Sequence, residues 1–194
     1  MARPREFDMD EALEGAMQTF WARGYRATAL PDLLAGMGLS RGSLYKAFGD
    51  KKRVFLDALA RYDRQAVEAS LATLTDPAEP NGAHRIARLF DAIVAGVRAG
   101  DRRGCLLCNT AAGAAADDAE IAMRVQAMMT RLTRGFEAAL ADLPPDQALT
   151  PAQCRERARG LTAAYIGLRV LARAGTEPAV LQDIGRSALD QAVA

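Results

Sequence analysis

The sequence predicts an all-α fold, and three observations carry that expectation. Composition comes first: 41 Ala and 22 Leu stand against 8 Val and 5 Ile, a supply that fills helices and starves strands. Periodicity comes second, because Ile86, Leu89, Phe90, Ile93, Val94 and Val97 recur at the three- and four-residue spacing that only a helix turns onto one face. Punctuation is third: Gly and Pro stand between the periodic stretches, most densely at Thr75-Asp76-Pro77-Ala78-Glu79-Pro80-Asn81-Gly82, the clearest break in the chain. With 194 residues, 50% hydrophobic and 25% charged, the chain can bury one core or two small ones and is not disordered.

Taken in order, the first helix starts after Asp8 and Asp10 and places Leu13, Ala16, Met17, Phe20 and Trp21 on one face before Gly24 ends it. Thr28 is the expected N-cap of a short second helix carrying Leu30, Leu33, Leu34 and Met37, with Pro31 in its first turn and Gly38 at its close. Ser40 caps a third, Arg41 to about Phe48, whose inward residues are expected to be Leu44, Ala47 and Phe48. A longer helix runs from Asp50 through Leu71, followed by the stretch ending at Gly100, a helix starting near Gly104, and one over about Asp117 to Ala141. Asp117, Asp118 and Glu120 favour the positive end of that last helix, and Met123, Met128 and Met129 on it are expected in the core. Pro144-Pro145 stops it, and two final helices follow at about 151–174 and 178–193.

Bulk charge is uninformative: the formal net charge is +1, so any basic footprint must be local. No signal-peptide core opens the chain and no stretch reaches the roughly 18 apolar residues of a membrane span, so a cytoplasmic protein without a membrane partner is expected. Three cysteines in that compartment are expected to be reduced. Metal binding is not expected, since Cys154 and His84 are remote in sequence from Cys105 and Cys108. No cofactor pattern and no catalytic pair of carboxylates is found, and His84 is expected at the surface.

The local footprint exists. All three lysines, Lys46, Lys51 and Lys52, fall in a seven-residue window flanked by Arg41 and Arg53, with Asp50 the one acid between Gly38 and Arg53. A short helix, a turn containing Gly38 and a second short helix is the helix-turn-helix plan, whose second helix fits the major groove of B-DNA. Its exposed positions are then Arg41, Gly42, Ser43, Tyr45 and Lys46. Arg41 and Lys46 can reach guanine edges or phosphates, Gly42 allows close backbone approach, and Tyr45 offers a hydroxyl to a phosphate. Lys51 opens the next helix, where free N–H groups already favour an anion.

The runs Tyr25-Arg26-Ala27-Thr28 and Leu39-Ser40-Arg41-Gly42-Ser43-Leu44-Tyr45-Lys46-Ala47-Phe48-Gly49-Asp50-Lys51 resemble the DNA-binding region of the TetR family of bacterial repressors. The resemblance implies about nine helices, the first three binding a palindromic operator in double-stranded DNA as half of a homodimer. It implies phosphate contacts at Thr28, Ser40, Tyr45 and Lys51, and positions facing bases at Arg41, Gly42, Ser43 and Lys46. It further implies an effector site among the middle helices and a dimer interface on the last two, for which Leu161, Ala164, Leu168, Leu181, Ile184 and Ala188 are the candidates. A DNA-binding domain over 1–53 and an effector-binding and dimerisation domain over 54–194 follow. Lys46 and Ala47 stand where the family often has an aromatic residue or His, so base preference does not carry over.

Arg102-Arg103-Gly104-Cys105-Leu106-Leu107-Cys108 is the other unusual stretch. Cys105 and Cys108 are either apolar filler or, with a helix starting near Gly104 and the guanidinium groups of Arg102 and Arg103 alongside, a site at which Cys105 is a nucleophilic thiolate. A disulfide between them would require the first helical turn to loosen. The segment resembles a branch of the family in which Gly-Cys-Leu opens the sixth helix and some members sense electrophiles or oxidants, which implies sensing at Cys105 modulated by Cys108 or Cys154. A small-molecule or thiol-reactive effector is therefore expected. The alternatives are a small helical thiol/disulfide redox enzyme using Cys105 and Cys108, and a ligand-binding module without a DNA role.

Overall fold

The computed structural model describes residues 8–194, and among them every regular element is helical. Nine helices result when three contiguous segments are counted as one: α1 (Met9–Arg23), α2 (Leu30–Met37), α3 (Arg41–Phe48), α4 (Lys51–Tyr62, then a π turn Asp63–Val67, then Glu68–Leu74), α5 (Gly82–Arg98), α6 (Leu106–Ala111), α7 (Ala119–Ala141), α8 (Pro151–Arg173) and α9 (Pro178–Val193). Among the described residues no helix is long and apolar enough to cross a membrane.

Most starts are dictated by the cap residue. Asp8, Ser40, Asp50, Asn81 and Asp118 each accept a backbone N–H of the following turn, and Thr150 with Gln153 forms a reciprocal capping box. Thr28 departs from expectation. Ala29 takes the N-cap position of α2 without a side-chain bond, while Thr28 turns inward and its hydroxyl donates to the Gly24 carbonyl at 2.7 Å.

Helices α1, α2 and α4 pack around Phe20, Leu33, Leu44 and Phe55, all fully buried. The α1–α2 crossing is close because Gly15 faces Gly36: a Cβ on Gly15 would overlap the Gly36 carbonyl oxygen. Within α3 only Leu44 and Phe48 face the core, and Ala47, expected inside, is exposed. On α7, Met128 is buried as expected but Met123 is 67% exposed.

Helix α4 belongs to both halves of the molecule. Its first turns complete the N-terminal core through Val54, Phe55 and Leu59, and its last turn buries Leu74 beside Gly135 of α7. A division between residues 53 and 54 thus falls inside a helix. Arg131 of α7 brackets the π turn, binding both carboxylate oxygens of Asp63 and also Glu68.

Candidate nucleic-acid interface

The turn between α2 and α3 is built by Gly38 and Leu39. Gly38 adopts φ 63°, ψ 29°, the left-handed region in which glycine carries no steric penalty. The Leu39 N–H then returns to the Leu34 carbonyl at 3.0 Å, and Leu39 is buried. Ser40 follows as N-cap, its hydroxyl accepting the Ser43 N–H at 3.1 Å and lying 2.9 Å from the Ser43 hydroxyl. Anchored by Leu44 and Phe48, α3 turns its other residues outward. Arg41, Gly42, Tyr45 and Lys46 are exposed and Ser43 is half-buried, with Tyr45 at 49%.

Packing does not explain the glycine in that helix. A Cβ at Gly42 would meet nothing closer than the Ser40 hydroxyl at 4.0 Å, although glycine inside a helix costs roughly 1 kcal/mol relative to alanine.

The three lysines have different fates. Lys46 is exposed on α3. Lys51 is half-buried over the Tyr25 ring at 4.7 Å, where burial holds its ammonium below the usual lysine range. Lys52 points away and is bound by Asp118 at 2.9 Å and Glu120 at 3.0 Å, while Arg26 pairs with Asp117. The acidic start of α7 therefore neutralises two cations near the interface, a diversion that residue counting in the window could not reveal. Thr28 is also absent from the surface: the hydroxyl expected to meet a phosphate is buried and committed to Gly24.

Along α8 and α9 the expected dimer residues divide. Leu161, Leu168 and Leu181 are at most 1% exposed and belong to the core of their own chain, so they cannot form an interface. Ala164, Ile184 and Ala188 are half-buried. The outward face of α8 instead presents Gly160, Ala163, Gly167 and Val170, and a Cβ at either glycine would meet nothing within 4 Å.

Cys105 and Cys108 are both buried, but not as two members of one helical turn. Cys105 precedes α6 in extended conformation, φ −122° and ψ 125°. The guanidinium that affects it is Arg169 of α8. Arg103, expected in that role, binds Asp101 and stacks over Trp21 at 4.0 Å. Cys154 lies fifteen positions before Arg169 on α8, roughly 20 Å along the helix, so it does not reach Cys105. His84 is exposed beside Glu79. Among the described residues no three His, Cys, Asp or Glu side chains are grouped to hold a metal ion.

The loop before Cys105 also touches the N-terminal helices. The Trp21 indole N–H donates to the Gly104 carbonyl at 3.3 Å. Arg173 donates to the Arg103 carbonyl at 2.8 Å and to that of Trp21 at 3.5 Å.

The model of the bacterial regulatory proteins, tetR family, matches residues 12–58, which span α1 to the first turns of α4. Over nearly the whole chain, the sequence is 30% identical to the HTH-type transcriptional repressor ComR of Escherichia coli (strain K12), covering 96% of this chain and 90% of that one. A 53-residue stretch is 45% identical to the HTH-type transcriptional repressor AcnR of Corynebacterium glutamicum, 27% of this chain and 28% of the relative. Among solved structures, a cysteine mutant of the TetR family regulator CifR in complex with a 26 bp double-strand operator DNA superposes with a TM-score of 0.85 at 29% identity, covering 97% of this chain and 98% of that chain.

Proposed function

The chain belongs to the TetR family of bacterial regulatory proteins, and from that premise we propose that it is a homodimeric repressor that binds a palindromic operator through α2 and α3. It is a DNA-binding transcriptional regulator; the operator contacts, the dimer and the release mechanism are the proposal. In it, α3 lies in the major groove with Arg41, Gly42, Ser43 and Lys46 toward base edges, and Ser40, Tyr45 and Lys51 hold phosphates. Thr28 is omitted, since its hydroxyl is turned inward.

The observation that carries the reading is α3 itself: a capped, core-anchored helix that presents Arg41, Gly42, Tyr45 and Lys46 to solvent, with a glycine that no internal contact requires. Support also comes from the CifR complex with operator DNA and from the repressor ComR. Two copies pair through the small outward face of α8, Gly160, Ala163, Gly167 and Val170, joined by Val180 and Ile184 of α9. Effector reaction at Cys105 favours a spacing of the two α3 helices that misfits half-sites about one DNA turn apart. The Trp21–Gly104 bond offers the route from Cys105 to α1.

A thiol/disulfide enzyme draws less support, because Cys105 and Cys108 are only 2% and 3% exposed and a disulfide substrate has no path to either. Fluorescence anisotropy on the DNA flanking the protein's own gene tests the reading. Specific binding by a species of dimer mass, weakened in Lys46→Ala, is expected. A protein that is monomeric in sedimentation, or that binds all DNA alike with and without Lys46, contradicts it.

A further inference from the structure

Two neighbouring lysines at the start of α4 are held in different ways. Lys52 is bound by the carboxylates of Asp118 at 2.9 Å and Glu120 at 3.0 Å. Lys51 makes no ion pair among the described residues, and its ammonium lies 4.7 Å from the centroid of the Tyr25 ring. Asp50, beside it in sequence, caps α4 by accepting the Arg53 N–H at 2.8 Å. The ring belongs to the residue after Gly24, which ends α1 at φ 83°. It stacks on Phe55 with centroids 4.6 Å apart and planes 36° apart, and its centroid is 6.1 Å from that of Phe20. Lys51 and Phe55, four positions apart, share one face of α4, and the Tyr25 ring is laid against both. Gly49 and Asp50 are all that separates α3 from α4, so Lys51 stands beside the end of the recognition helix.

The two arrangements leave different things for an outside anion. A carboxylate neutralises an ammonium and occupies its N–H donors. An aromatic face attracts the cation through the ring quadrupole and adds no opposing charge, so the full charge and the donors stay available. Contact with a stiff ring also restricts the lysine stem, whose rotamer freedom is among the largest that ordering removes. Packing on Phe55 explains where the ring sits, but not why a lysine folds back over it, since partial burial disfavours the ammonium. We infer that Tyr25 is a positioning residue for operator binding: its ring is a shelf that holds the Lys51 ammonium, charge intact, at the α3–α4 turn for a phosphate of the DNA backbone. This role rests on the reading of Lys51 as a phosphate contact and adds the residue that aims it.

The mechanism is specific about which atoms matter. The π face does the holding, so phenylalanine replaces Tyr25 without loss, whereas leucine fills the same apolar place and offers no quadrupole. Because the contact served is to a phosphate, the effect falls on every DNA sequence alike and leaves base preference as it is. Because the ring acts through Lys51, it has nothing to contribute once that ammonium is gone.

Nuclear magnetic resonance of the full-length protein with labelled lysine, joined to operator-binding anisotropy, tests the shelf. The three lysines, Lys46, Lys51 and Lys52, give separately assignable side chains. Ring current should move the ε-methylene protons of Lys51 upfield of the other two, in wild type and Tyr25→Phe but not in Tyr25→Leu. Operator affinity should fall roughly two- to fivefold per subunit in Tyr25→Leu, for cognate and altered operators alike, and hold in Tyr25→Phe. With Lys51→Ala already present, Tyr25→Leu should weaken binding no further. Wild-type Lys51 protons resonating with those of Lys46 and Lys52 overturn the shelf even if no variant folds. In folded proteins, an equal loss with and without the Lys51 side chain overturns positioning and leaves Tyr25 a packing residue. An upfield Lys51 in a protein whose operator binding ignores Lys51→Ala sinks the phosphate contact, and the positioning role with it, while the ring contact stands.

Discussion

The recognition helix and the cysteine loop handle polar side chains in opposite ways. On α3, Arg41, Tyr45 and Lys46 stand in solvent while two apolar residues fix the helix to its core. Around Cys105 the polar groups turn inward: the Tyr62 hydroxyl donates to the Cys105 sulfur, and Arg169 donates to the buried Tyr165 hydroxyl. A polar surface in solvent is available to an external partner, whereas polar groups packed inside are tied to the fold that encloses them.

The largest expected effect separates scaffold from surface on the N-terminal side. Gly15→Ala drives a methyl into the Gly36 carbonyl at the α1–α2 crossing and should cost about 3 kcal/mol in denaturant unfolding, the upper end for overpacking. Gly42→Ala has open space and should stabilise the free protein by up to roughly 1 kcal/mol while weakening operator binding in a mobility-shift assay. Equal destabilisation by both would erase the distinction.

Next come the outward cations. Arg41→Ala and Lys46→Ala should leave the melting temperature unchanged and cost roughly 1–3 kcal/mol of discrimination at one base pair each, read by competition with operators altered singly. On the cysteine side the effect is one of pH. Cys105 falls from an ordinary 9.0 to about 6 on folding, so ionisation at Cys105 stabilises the fold fully above pH 9 and that contribution disappears as pH falls through 6. The melting-temperature gap between wild type and Cys105→Ala, under reductant, should therefore narrow from pH 9 toward pH 6. A gap that widens on acidification reverses the sign of the account. The smallest effect belongs to Lys52→Ala. Already neutralised by Asp118 and Glu120, Lys52 should contribute less to the salt dependence of operator binding than Lys51.

The two regions also differed in how far the sequence disclosed them. The helix-turn-helix was legible because its determinants are neighbours: Gly38 ends one helix, Ser40 caps the next, and Leu44 and Phe48 set which side faces in. The errors there were contextual. Thr28 has the chemistry of a cap and a phosphate ligand, but the turn after Gly24 used its hydroxyl internally. Ala47 fitted the inward spacing yet lies beyond the edge of the core. The resemblance places an interface on the last two helices, but an apolar period does not say whether its own chain or a partner covers the face, and Leu161, Leu168 and Leu181 are covered by their own chain. Around Cys105 the hydroxyl that bonds its sulfur belongs to Tyr62, 43 positions away in sequence, and Arg103, near in sequence, is taken up by Asp101. Two in-helix glycines, Gly15 and Gly36, were the available signal for the α1–α2 crossing, since a glycine tolerated inside a helix often marks a close approach.

The most direct test of the central claim is operator affinity measured against salt concentration for wild type and Lys51→Ala. A dimer in which each subunit engages three to four phosphates should give a slope of log K on log salt of roughly −5 to −7, flattened by about one in the variant, with weaker binding to every sequence. An unchanged slope and affinity in Lys51→Ala would contradict the placement of the α3–α4 turn against the DNA backbone.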